Sequence, residues 1–73
     1  MRRDEGRCLG KNEWPEVVGM DGDEAVEKIE RENHRVNAIV VPEGSLVPMN
    51  FKCTRVWVWV DKEGKVFRVP KIG

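Results

Sequence analysis

Several residue types that common functions require are scarce in this chain of 73 residues. It has a single histidine, His34, and no Ser–His or Cys–His constellation can be assembled around it, which disfavours nucleophilic catalysis. Two cysteines and one histidine are too few for a zinc site, which takes about four ligands. The sequence has no C-x-x-C pair to indicate a redox role. We therefore expect no enzyme, no catalytic residues, no metal site and no cofactor.

The chain also lacks an excess of either charge and any long apolar run. Its 13 basic and 13 acidic residues give a formal net charge of zero and form no basic stripe that would bind phosphate backbones. No run approaches the roughly 20 apolar residues of a membrane span. The start, "MRRDEG", is not followed by the apolar stretch of a signal peptide. We expect one small domain, a monomer, that binds neither nucleic acid nor membrane.

The two cysteines, Cys8 and Cys53, have no competitor, so a disulfide could connect them in only one way. A bridge closing so long a loop would stabilise the fold by roughly 4 kcal/mol in the chain-entropy model. That is a large fraction of the stability of a minimal core. Two free buried thiols are the alternative. We favour the bridge, and with it an oxidising location, such as an extracellular one, or a stored product.

The order of patterns predicts an extended arm over 1–20 and then a helix over about 22–33. Ala25, Val26 and Ile29 fall on one face of this helix at spacings of three and four. Asn33 is the expected stop, in the left-handed conformation that asparagine tolerates.

Two strand patterns follow the helix. The mostly apolar run "VNAIVV", within a strand of about 36–42, predicts a buried strand. The segment 54–70 predicts a hairpin, with a turn at "DKEG" and a returning strand "KVFRV". Its first strand alternates strictly, which places one set of side chains on the core face and another on the opposite face: Val56, Val58 and Val60 against Arg55, Trp57 and Trp59. We expect an α+β fold, a small mixed sheet of about three strands packed on one α-helix.

The connection over 43–53, which contains "EGSLVPMNFKC", has neither a helical nor a strand pattern, yet it is rich in apolar residues. Connections of this length are usually functional or disordered, and disordered segments avoid apolar residues. One explanation is that Met49 and Phe51 pack into the core as a satellite cluster. The other is an extended, anchored ridge, because Pro48 fixes its own φ and pushes Val47 towards an extended shape. Such a ridge has the form in which proteases read substrates.

The chain resembles the potato inhibitor I family of serine protease inhibitors, especially its disulfide-containing seed members from squash, flax and buckwheat. The resemblance covers nearly the whole chain and rests on the order and spacing of five pieces. These are "C-x-G-K" (8–11), "EWPEVVG" (13–19), "ERENHRVNAIVVPEG" (30–44), "F-K-C-x-R-V-W-V" (51–58) and the C-terminal "P-K-I-G". It implies that Trp14 packs near the helix and that the disulfide ties down the arm.

The resemblance further implies a long exposed protease-binding loop between parallel strands. The scissile bond of the family lies four residues before the second cysteine, which is Met49–Asn50 here. Leu46, Val47 and Pro48 would lie on the non-prime side of the protease, and Phe51 and Lys52 on the prime side. Arg55, Trp57 and Gly73 would support the loop from beneath.

The sequence departs from the family pattern beneath the loop. Many members have a second arginine where this chain has Trp57, a threonine where it has Pro48, and an acid where it has Asn50. These changes weaken the electrostatic support of the loop, although Pro48 can stiffen its backbone. Because Met49 is apolar, the implied partners are chymotrypsin-like, subtilisin-like and elastase-like enzymes rather than trypsin. The alternative function is a non-inhibitory stored or interaction protein that keeps the fold with an altered loop.

Overall fold

The computed structural model describes residues 8–73, so residues 1–7 of the predicted arm lie outside the described part. The regular elements are a 3₁₀ turn, an α-helix (α1) and two strands (β1 and β2). Their bounds are Pro15–Val17, Gly22–Glu32 (α1), Asn37–Pro42 (β1) and Arg55–Val60 (β2). The predicted α+β class, with one helix on a small sheet, is confirmed.

The two strands pair in parallel, with Asn37 opposite Arg55 and Pro42 opposite Val60. The predicted third strand is reduced to isolated antiparallel bridges, of which Val60 to Val66 is one. The reason lies in the hydrogen bonds of Val66, whose N–H donates to Met20 O at 2.9 Å and whose carbonyl accepts from Gly19 N at 2.8 Å. Because this returning segment divides its backbone bonds between β2 and the arm, it forms no continuous ladder with either.

The core lies between α1 and one face of the sheet. Val56, Val58 and Val60 of β2 are all buried, as their strict alternation predicts. The other buried hydrophobic residues of this cluster come from the arm, the helix and the flanking segments: Trp14, Val17, Ala25, Ile29, Val36 and Val66.

The prediction of a buried strand at 36–42 is wrong for most of β1. Val41 is its only buried residue, whereas Ile39 and Val40 are 42% and 38% exposed. The run was apolar enough for a strand covered on both faces. In a sheet with two regular strands, however, β1 forms an edge, and the single helix covers only part of one face.

Asn33 follows the helix directly, but not in the predicted left-handed conformation, because its backbone is extended (φ −144°, ψ 100°). Its buried side chain instead forms a clamp. Nδ2 donates to the carbonyls of Leu9 and Lys11 at 3.1 and 2.9 Å, and Oδ1 accepts from the N–H of Arg35 at 3.0 Å. The asparagine therefore holds the arm beside Cys8 while it ends the helix.

The arm packs tightly through Trp14, which is fully buried and donates from Nε1 to Glu32 Oε1 at 3.1 Å. The implied packing of this tryptophan against the helix is thus observed. The arm is not extended throughout its described part, because the 3₁₀ turn Pro15–Val17 follows Trp14. No helix in the described part of the chain combines the length and apolar character that a membrane crossing needs.

Candidate functional site

The segment between β1 and β2, residues 43–54, contains no regular element and carries the most exposed apolar side chains of the described protein. Leu46 and Met49 are 98% and 96% exposed, and Phe51 is 58% exposed. Pro48, Asn50 and Lys52 are also exposed, whereas Val47 is half-buried. The structure therefore does not show the alternative in which Met49 and Phe51 form a satellite of the core.

Both ends of this loop are attached to the body of the protein. At the first end, Glu43 N donates to Val60 O at 2.8 Å and Ser45 N donates to Pro42 O at 3.1 Å. At the second end, Cys53 forms a disulfide with Cys8, with their Cα atoms 5.2 Å apart. The predicted bridge is confirmed and the alternative of two free thiols is excluded.

Arg55, at the start of β2, supports the loop from beneath and is only 7% exposed. Its Nη1 donates to Asn50 Oδ1 at 3.4 Å, and its Nη2 donates to the backbone carbonyl of Asn50. Its Nε donates to the carbonyl of Gly73 at 2.7 Å. One guanidinium group thus connects the middle of the loop with the C-terminal segment. Arginine can do this because its planar guanidinium carries several N–H donors in a fixed fork.

Gly73 lies beneath the loop, close to the supporting Arg55 and to the loop residue Phe51. Its N–H donates to Arg55 O at 2.9 Å. A Cβ atom placed on Gly73 would lie 3.4 Å from the ring of Phe51, so the backbone of this glycine is close to the aromatic side chain. The partly exposed Phe51 therefore has an inner contact with the C-terminal segment, while Met49 projects into solvent.

Trp57, the other predicted support on this face of β2, lies against Arg55. The guanidinium carbon of Arg55 lies 4.6 Å from the centroid of the Trp57 ring, within the range of a cation–π contact. The next residue on this face, Trp59, is stacked in the same way by Arg68 at 4.8 Å.

An ionic cluster outside the loop holds the arm on the helix, and sequence reasoning did not identify it. Glu32 accepts from Lys11 Nζ at 2.7 Å and from Lys28 Nζ at 2.8 Å, besides the indole of Trp14. The hydrogen bonds from Lys11 and then from Lys28 lower the pKa of Glu32 from its ordinary 4.5 to about 2. Lys11 also bonds Glu16, and its two carboxylate partners raise the pKa of its ammonium group.

Among these pairs, only Lys28 and Glu32 have a helical spacing, four residues, that the sequence itself displays. Lys11 and Glu32 are 21 positions apart, and Asn33 is 24 positions from Leu9, so no periodic signal could reveal these partners.

The side chains at 46–51, apart from the half-buried Val47, form an exposed, mainly apolar peptide whose backbone is hydrogen-bonded at Asn50 and tied at Cys53. Within residues 8–73, no group of His, Cys, Asp and Glu side chains is arranged to hold a metal ion.

Comparison with known proteins agrees with this arrangement. The sequence model of the potato inhibitor I family matches residues 5–73. A proteinase inhibitor from Linum usitatissimum is 53% identical over 66 residues, which are 90% of this chain and 96% of that protein. A Glu S.griseus protease inhibitor from Momordica charantia is 51% identical over 67 residues, covering 92% of this chain and 98% of that protein.

A solved structure extends the similarity to three dimensions. The crystal structure of a bitter gourd trypsin inhibitor superimposes with a TM-score of 0.89 at 49% identity, covering 92% of this chain and 98% of that one. The relatives are inhibitors of proteases and not enzymes, in agreement with the expectation that this chain has no catalytic activity. The family model, the sequence relatives and the fold all lead to one assignment: the chain belongs to the potato inhibitor I family of serine protease inhibitors.

Proposed function

We propose that this chain inhibits chymotrypsin-like and subtilisin-like serine proteases, and also elastase-like ones, by offering the Met49–Asn50 bond as a substrate that is cleaved very slowly. The single observation that carries the proposal is the contrast across this bond. Met49 is almost completely exposed, whereas its neighbour Asn50 is held from beneath by two donors of Arg55. A side chain is thus available to a pocket while the backbone that follows it is fixed.

The mechanism needs no reactive group from this chain. A serine protease supplies its own nucleophile and its own oxyanion hole. The inhibitor supplies a peptide whose backbone entropy was lost when the protein folded, so little more is lost on binding. After attack on the Met49 carbonyl, the new amine of Asn50 remains beside the acyl-enzyme because Arg55 and the disulfide hold the chain on that side. Religation therefore competes with hydrolysis.

The exposed loop residues divide into two sets around the bond. Leu46, Val47 and Pro48 lie along the non-prime side of the protease groove. Phe51 and Lys52 lie on the prime side, where the ring of Phe51 is close to the backbone of Gly73. Trp57 contributes by holding the guanidinium plane of Arg55. We expect the free inhibitor to be monomeric and to bind one protease molecule.

The support of the loop is weaker than a pair of charged groups would provide. The contact from Arg55 to the Asn50 side chain has a neutral acceptor and a distance of 3.4 Å, near the long limit for a hydrogen bond. A carboxylate acceptor would add the attraction between opposite charges to this bond. Pro48 compensates in part, because its ring removes one backbone rotation next to the reactive bond. This combination predicts effective binding. It also predicts that the Met49–Asn50 bond is cleaved faster than it would be with a charged acceptor at residue 50.

Target choice follows from Met49. Its unbranched, uncharged side chain fits pockets that take medium to large apolar groups. The trypsin pocket contains a buried carboxylate that Met49 would leave unpaired, at a cost of several kcal/mol. Lys52 does not replace it, because this lysine lies beside Cys53 and outside the frame of the proposed bond.

The test is active-site titration of chymotrypsin, subtilisin, elastase and trypsin with the purified protein. We expect a stoichiometric loss of activity of chymotrypsin, subtilisin and elastase but not of trypsin. The inhibitor should be recovered intact at short times and cut only at Met49–Asn50 at long times. Rapid degradation without loss of protease activity would favour the alternative, a non-inhibitory stored or interaction protein. The matched control is Met49→Asp, which keeps the fold but puts a charge into an apolar pocket and should abolish the titration.

A further inference from the structure

We infer that Met49 is a modification site, at which an oxygen-atom donor such as hydrogen peroxide converts the thioether to the sulfoxide and thereby switches inhibition off. The inference rests on the proposed role of Met49 as the residue that enters the protease pocket. The structural basis of the inference is separate from that role. The side chain of Met49 lies in solvent, whereas Met20, the other methionine of the described chain, is half-buried.

The exposure of the two methionines in residues 8–73 differs strongly. The side chain of Met49 is 96% exposed at the crest of the loop. Met20 is half-buried and packs against the hydrophobic core. Oxidation of methionine requires direct approach of the oxidant to the sulfur, so susceptibility follows exposure. Met49 is therefore expected to react first, under conditions that leave Met20 as the thioether.

The reaction is balanced with peroxide alone. An electron pair of the Met49 sulfur attacks one peroxide oxygen, an S–O bond forms and the O–O bond breaks. The oxygen now bound to sulfur gives up its proton, the second oxygen takes up that proton, and it leaves as water. The sulfur loses two electrons and the peroxide gains the same two. Both cysteines are already joined in the disulfide, so no thiol among the described residues competes for the oxidant.

The sulfoxide differs in polarity from the thioether at residue 49, the side chain proposed to enter the protease pocket. The sulfoxide is polar and carries a strong acceptor oxygen, whereas the thioether is a flexible apolar group. Burial of this oxygen in an apolar pocket without a donor weakens binding by about tenfold to a hundredfold. The fold is not affected, because the Met49 side chain makes no part of the core cluster. Since methionine sulfoxide is reducible by sulfoxide reductases, the change is reversible.

The experiment compares the natural protein with Met49→Leu, in which an apolar side chain of similar size has no sulfur. Both are treated with dilute hydrogen peroxide, the oxidised residue is located by peptide mass mapping, and inhibition constants against chymotrypsin and subtilisin are measured before and after. We expect Met49 to gain one oxygen first and inhibition by the natural protein to fall about tenfold or more. The Leu variant, whatever its own inhibition constant, should have the same constant before and after peroxide. Treatment with a methionine sulfoxide reductase should restore the natural protein.

The outcomes separate this inference from the proposed function. If the untreated protein does not inhibit either protease, the proposed function fails. If it inhibits but Met49 oxidises no faster than Met20, or if the oxidised protein inhibits as well as the untreated one, the inference is overturned. An equal loss of inhibition in the Leu variant would also overturn it, because the damage would then lie at another residue.

Discussion

Arg55 holds Asn50 at two points, with one guanidinium nitrogen on the side-chain oxygen at 3.4 Å and another on the backbone carbonyl. The same group reaches Gly73, so the loop, the strand and the C-terminal segment meet at a single side chain. The backbone and side chain of Asn50 are thus held by a residue that lies outside the loop itself.

Replacement of Arg55 by alanine should accelerate proteolysis at Met49–Asn50 while the fold persists. Hydrogen bonds to a charged group contribute about 1.5–3 kcal/mol, so we expect cleavage about tenfold faster or more. The readout is the rate of appearance of the two-chain form in the presence of subtilisin, with circular dichroism to check the fold.

Arg68→Ala is the matched control, because Arg68 stacks on Trp59 in the way that Arg55 stacks on Trp57 but has no observed bond to Asn50 among the described contacts. It should leave the cleavage rate unchanged. If Arg55→Ala unfolds the protein, or is cut no faster than the natural chain, the bracing role is wrong.

Asn50→Asp should strengthen the support of the loop. The new carboxylate would add the attraction between opposite charges to the hydrogen bond that Arg55 already donates to this side chain. We expect cleavage at the reactive bond to slow by up to about tenfold. Asn50→Ala removes the side-chain acceptor and should change the rate in the opposite direction. Equal cleavage rates for the Asp and Ala variants would show that the side chain of residue 50 does not brace the loop.

Met49→Lys should move the specificity towards trypsin. The lysine would pair with the buried carboxylate of the trypsin pocket, and we expect a gain of about a hundredfold or more against trypsin with a loss against chymotrypsin. Stability should change little, because residue 49 is exposed. The measurement is a pair of inhibition constants for each protein.

Lys52→Met is the control for this exchange, since it removes the one lysine already present in the loop. It should have little effect on trypsin. Tight inhibition of trypsin by the natural protein that disappears in Lys52→Met would place the reactive bond after Lys52 instead of after Met49.

Stability should decline in acid through Glu32. The folded-state pKa of Glu32 is lowered from 4.5 to about 2, chiefly by the hydrogen bond from Lys11 and then by that from Lys28. A carboxyl with a depressed folded-state pKa adds stability that is complete above its unfolded value and is lost as pH falls through the folded value. The contribution should therefore be full above about pH 4.5 and absent below about pH 2.

The test compares urea midpoints of Glu32→Gln and the natural protein across this pH range. The variant should be less stable at neutral pH and should approach the natural protein near pH 2, because only the natural protein has a charge to lose at this site. Glu27→Gln, an exposed position of the same helix, is the control and should run parallel to the natural protein. A constant difference between Glu32→Gln and the natural protein at all pH values would contradict the assignment.

Replacement of both Cys8 and Cys53 by serine should weaken the fold without abolishing it. The chain-entropy model gives a loss of roughly 4 kcal/mol for a loop of this length. The arm remains attached through the Asn33 side chain, which bonds the carbonyls of Leu9 and Lys11 independently of the bridge. Denaturant titration of the double variant measures the loss. A variant that is unfolded in buffer would show that the Asn33 clamp cannot hold the arm alone.

The sequence by itself determined the features that depend on local pattern. The alternation at 55–60 decided which valines enter the core, because successive side chains of a strand point to opposite faces. The single pair of cysteines left one possible disulfide. The apolar residues in the irregular segment 43–53 allowed either a satellite of the core or an exposed ridge, and the exposure of Met49 decided between the two.

The tertiary structure alone decided the features that depend on what covers an element. An apolar run such as 36–42 is compatible with a buried or an edge strand, and only the number of neighbouring strands distinguishes them. The third strand gave way to isolated bridges because the arm competes for the backbone groups of Val66. Asn33 and Glu32 acquired their roles from partners distant in sequence, and such contacts leave no periodic trace in the chain.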